Sequence, residues 1–132
     1  MKRYARESGS TAVNRLLSAD VVATSRLSEV EVSSAIVRRA REGAFGVRER
    51  DRALAALTMD LSSLHLVELV PEVTTKARGL LLRHALRAGD AIQLASCMFL
   101  QQEMGEPISF VAFDERLRAA ALAESLTVAP DR

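Results

Sequence analysis

The chain has 132 residues, 48% apolar and 27% charged, with a net charge of +1. That is the length of one domain with a proper core, and the near-balanced charge does not point to a nucleic-acid binder by bulk charge while leaving local basic patches open. An aromatic content of 4% argues against a base-stacking platform.

No apolar run is long enough to span a membrane and no signal-peptide pattern is present, so a cytoplasmic protein is expected. Cys97 has no cysteine partner for a disulfide or a zinc site and reads as a small core residue.

Residues 1–9 are polar and basic. Ser10 is placed to cap a short helix through Leu17, which Asp20 ends. Val21-Val22-Ala23-Thr24 is a β-branched run and reads as a buried strand. Ser28 opens a helix to about Arg41, with Val32, Ala35, Ile36 and Ala40 facing inward and Gly43 as the stop. Ser28-Glu29-Val30-Glu31 fits the capping-box pattern, in which Glu31 reaches back to the cap N–H. Arg38, Arg39 and Arg41 suit a solvated helix C-terminus. A second helix runs from Phe45 to about Ser63, with Val47, Leu54, Leu57 and Leu61 at helical spacing, so the two helices form a hairpin turning near Gly43 and Gly46.

His65 to Val70 reads as a strand, and Pro71 opens a helix to about Leu86 with Val73, Ala77, Leu80 and Leu81 inward. His65 and His84 lack any ligand spacing and are expected to be structural or exposed. The stretch Leu86-Arg87-Ala88-Gly89-Asp90-Ala91-Ile92-Gln93-Leu94-Ala95-Ser96 starts a helix that is apolar around most of its girth. Asp90, in its first turn, is either a helix cap or a metal ligand at the mouth of a site. Gly105 and Pro107 end this helix. Ile108 to Phe113 is the clearest strand, Asp114 stands directly before a helix from Glu115 to Glu124, and Leu126 to Ala129 is a last strand. Asp114 too has an N-cap reading.

Strands alternating with helices predict an α/β fold with a parallel sheet covered on both faces. Ligands of such sheets sit beyond the carboxyl ends of the strands. Glu31, Asp90 and Asp114 all fall at helix starts and could gather at that edge, where a divalent cation would remove their repulsion. An oxygen-only set suits Mg2+ or Mn2+, completed by substrate phosphates, which favours phosphodiester chemistry. The chain has no G-x-S-x-G, Walker loop or G-x-G-x-x-G.

Four blocks then carry a resemblance: Lys2 to Ser10, Ser28 to Val32, Leu86 to Ala95, and Phe113-Asp114-Glu115-Arg116-Leu117. Together they resemble PIN-domain ribonucleases, specifically the VapC-type toxins of bacterial toxin–antitoxin pairs. The resemblance runs over essentially the whole chain and implies one PIN-like domain over residues 1–132. It further implies a short parallel sheet, with about four of its strands present here, flanked by helices on both faces. By resemblance, Glu31, Asp90 and Asp114 are catalytic metal-site acids for Mg2+ or Mn2+, the substrate is RNA, the partner is a cognate antitoxin, and the chain is a homodimer. The family pattern opens with an apolar strand carrying an Asp, whereas this chain enters the pattern at Met1. The expectation is a start internal to a longer reading frame; a chain that is truly this short should bind metal weakly and expose a sheet gap that drives association. The rival reading is a catalytically impaired module that only holds an antitoxin. A strand-end D-x-D, as a phosphatase needs, is not supplied by Phe113-Asp114-Glu115-Arg116.

Overall fold

The structure, a computed structural model, describes residues 23–131. Its elements run β1 (Ala23–Ser25), α1 (Leu27–Arg41), α2 (Val47–Leu61), β2 (His65–Val67), α3 (Pro71–Arg83), α4 (Ala88–Met104), β3 (Ser109–Val111), α5 (Glu115–Ala123) and β4 (Thr127–Ala129). The order is the one the sequence predicts, with shorter strands. The expected Ser10–Leu17 helix, the Lys2–Ser10 block, and Val21 and Val22 lie outside the described residues. The chain forms two compact units, one ending at Leu66 and the other beginning at Val67.

In the first unit, α1 and α2 pack as a helical hairpin around Ile36, Leu57 and Leu61, with Val32, Phe45 and Leu54 against them. These positions recur every three or four residues, which places them on facing stripes. Gly43, at φ 83°, takes the left-handed conformation that ends α1 without a Cβ penalty. At the start of α2 the Gly46 N–H donates to Glu49 Oε1 at 3.1 Å, the reach-back half of a capping box. β1 pairs with β2.

The capping box expected at Ser28 and Glu31 is corrected by this unit. The helix begins before Ser28, with Arg26 at the cap position. Ser28 is buried inside the first turn, its hydroxyl 2.6 Å from Thr24 Oγ1. Ser25 Oγ accepts the Leu27 N–H at 3.1 Å instead. The preceding serine is close enough to satisfy that amide, so the helix starts earlier than the S-x-x-E pattern indicates.

In the second unit, α3 packs on α4 through Val73, Ala77, Leu80, Ala91, Leu94 and Ala95. Ile92, Met98, Phe99 and Leu100 pack against the same core, so α4 is covered on several sides, as its all-round apolarity predicts. Leu81, expected inward, is 43% exposed, because the inward stripe of α3 follows Val73, Ala77 and Leu80 and turns Leu81 off it. Cys97 is half-buried and burial pushes its thiol up to about 11, which leaves it inert at neutral pH. Gly105, at φ 70°, terminates α4. β3 and β4 pair in parallel, Phe110 opposite Val128, with α5 as the crossover a parallel pair requires.

Among the described residues the four strands form two two-stranded sheets rather than one continuous sheet. Each strand is three residues long, so it offers few ladder bonds, and β2 and β3 are separated by two helices and are not hydrogen-bonded neighbours. The α/β character and the parallel pairing hold, the short strands standing in two small sheets among the described residues.

Candidate acidic site

Asp114 follows β3 and stands at the N-cap of α5 with extended backbone, where its carboxylate accepts the Leu117 N–H at 3.3 Å. One turn into the helix, Arg118 Nη1 donates to the Ala112 carbonyl at 2.8 Å. The strand exit and the helix entrance are thereby tied to each other, and Asp114 is carried on that tie with its side chain exposed.

Asp90 is not the cap residue of α4. Arg87 is, and the helix begins at Ala88, so Gly89 lies inside the first turn. Asp90 sits three residues after the cap, half-buried, and its carboxylate takes a hydrogen bond from the backbone of Arg87. This is the reach-back contact of a capping box, so Asp90 does satisfy a free helix N–H, from the N3 position. Burial first, and then the nearby charge of Asp114, push the Asp90 carboxyl above its ordinary value; the Arg87 charge and N–H pull partly the other way. Asp90 and Asp114 are thus electrostatically coupled, at the starts of α4 and α5.

Glu31 lies in the second turn of α1, in the first unit, and is exposed. Among the described residues, no three His, Cys, Asp or Glu side chains form a group that could hold a metal ion. The pair the structure brings together is Asp90 and Asp114. His65 is exposed and His84 is engaged with Glu124, its Nε2 2.7 Å from Oε2.

The pair fits a hard divalent cation. Its donors are carboxylate oxygens, one of them half-buried and held against a like charge, and Mg2+ is commonly bound by one or two carboxylates with water and substrate phosphates completing its shell. Both acids stand where helix N–H groups present partial positive charge, which favours anions at the same place. The residue that sequence reasoning passed over is Arg87. Its spacing to Asp90 equals the cap-to-N3 spacing read at Ser28 and Glu31, and that was the available signal.

A family model for the PIN domain matches residues 4–123. The chain belongs to the PIN domain family. PIN domains form a nuclease superfamily whose members typically use divalent metals. The match includes Glu31, Asp90 and Asp114 and extends over most of both units. A comparison with curated proteins finds no match. No helix among the described residues of this PIN domain is long and apolar enough to cross a membrane.

Proposed function

We propose that this PIN domain is a metal-dependent endoribonuclease, the toxin of a toxin–antitoxin pair similar to the VapC-type toxins. The observation that carries the reading is the coupling of Asp90 to Asp114 at two helix starts, in a chain whose family is a nuclease superfamily. Asp90 and Asp114 would hold Mg2+ or Mn2+, with Glu31 as the third acid. A metal bound there supplies an activated water and neutralises charge at the scissile phosphate. The protein's own part is positional. The Leu117 N–H orients the Asp114 carboxylate, the Arg87 backbone orients Asp90, and the starts of α4 and α5 offer partial positive charge to a phosphate. A cytoplasmic location, a cognate antitoxin and a homodimer complete the reading.

The test is cleavage of a structured RNA in Mn2+, with and without EDTA, by the chain and by Asp90→Asn. Cutting that EDTA and the substitution both stop supports the reading. Cutting that survives either one overturns it. A second reading is a binding module that holds an antitoxin without cutting. A folded chain that cuts no RNA, yet co-purifies with an antitoxin encoded beside it, would establish that reading instead.

A further inference from the structure

The turn of the α1–α2 hairpin carries a concentration of charge that the acidic site does not use. Residues 38–52 contain six arginines (Arg38, Arg39, Arg41, Arg48, Arg50 and Arg52) against Glu42, Glu49 and Asp51, a net +3 in a chain whose total is +1. The hairpin brings the last turn of α1 and the first turns of α2 to one end, so these arginines cluster at that end of the hairpin. All but Arg50 are exposed. Two of the three acids are already occupied: Glu49 takes the Gly46 N–H and Asp51 pairs with Arg50 at 2.9 Å. Among the described residues Arg39, Arg41, Arg48 and Arg52 make no salt bridge. Between the two helix ends lies a recess of about 280 Å³, with Arg41 and Arg50 at its margins and Val37, Ala40, Phe45 and Val47 as apolar lining.

We infer that this hairpin tip is a docking surface for the sugar–phosphate backbone of a single-stranded RNA, outside the acidic site. The inference rests on the ribonuclease reading. The segment is arginine throughout with no lysine, and the guanidinium fork matches phosphate oxygens with two parallel hydrogen bonds. Arg48 and Arg52 lie one turn apart on one helix face and present neighbouring cations to a backbone. The apolar recess, whose lining includes Arg41 and Arg50, accommodates a sugar or base face while the arginines of the tip hold the phosphates.

The experiment measures binding of a labelled single-stranded RNA oligonucleotide by fluorescence anisotropy across a salt series. EDTA is present to suppress cleavage. The triple variant Arg41→Gln/Arg48→Gln/Arg52→Gln is compared with the wild type and with Arg78→Gln, an exposed arginine on α3. Circular dichroism and Tm confirm that each variant folds. The triple variant should bind about tenfold more weakly or worse, and the slope of log K against log salt should fall by about 2, since each single-strand phosphate contact contributes about 0.7. Arg78→Gln should match the wild type, and the corresponding triple lysine variant should recover most of the slope. Wild-type affinity and slope in the triple glutamine variant overturn the inference while leaving the ribonuclease reading intact. A wild type that binds no RNA overturns the inference, and the ribonuclease reading is then decided separately by cleavage in Mn2+. A triple variant that keeps RNA affinity but no longer co-purifies with an acidic protein partner assigns the surface to that partner and overturns the inference.

Discussion

Asp90 is held in a conflict. Its carboxyl is raised by burial and by Asp114, so the folded chain takes up a proton there more readily than the unfolded chain does. Above the unfolded-state pKa this opposes folding, and the penalty grows as pH rises from that value through the folded-state one. Removing the charge should therefore relieve the fold while removing function. Asp90→Asn is expected to keep or raise Tm at pH 7 in EDTA, and to lower Mn2+-dependent cleavage by about two orders of magnitude, the scale seen when a charge-stabilising group leaves an active site. A clear drop in Tm would show that the Arg87 contact outweighs the repulsion. Asp114 separates the two roles differently, because its cap can be made by a neutral oxygen. In urea unfolding, Asp114→Ala should cost about 1 kcal/mol for the lost bond to Leu117, whereas Asp114→Asn should keep most of that stability and still lose cleavage.

Among the elements, the end of α3 is tied to the end of α5. Arg83 donates to both Glu124 oxygens at 2.9 and 3.1 Å, and His84 meets Oε2 at 2.7 Å. The Arg83 bond, followed by the His84 bond, holds the Glu124 carboxyl below its ordinary value. For an acid so lowered, the stability is present above the unfolded-state pKa and is lost as pH falls through the folded-state value. Glu124→Gln should thus be less stable than wild type at neutral pH, and the gap in urea midpoint should close as pH falls below the ordinary glutamate range. Because Arg83 is exposed, high salt should narrow the same gap. The stop of α4 is a backbone matter. A Cβ added at Gly105 meets nothing within 4 Å, so Gly105→Ala should cost only the left-handed penalty of about 1 kcal/mol, read as a lowered urea midpoint with unchanged RNA binding.

For the molecule as a whole, the acidic pair and the hairpin tip should separate in solution. Metal that binds the folded chain and not the unfolded one stabilises it by mass action, by about 2.7 kcal/mol at a hundred times Kd. Mn2+ should accordingly raise the Tm of the wild type and of the triple arginine variant, but not of Asp90→Asn. A Tm rise that persists in Asp90→Asn would place metal binding elsewhere.

The helices were legible because their signals are local. Apolar residues at three- and four-residue spacing mark α1 through α5, Gly43 and Gly105 stop their helices, and Asp114 caps α5 through an amide three residues away. The family was legible for a related reason: its motif blocks are short runs read along the chain. What no local pattern could decide was pairing at a distance. Which strands share hydrogen bonds, which serine satisfies the start of α1, that Arg83 and His84 meet Glu124 some forty positions on, and that Asp90 feels Asp114 all depend on elements brought together by packing. A three-residue strand or a single carboxylate carries too little sequence to name its partner, so the tertiary structure made those choices.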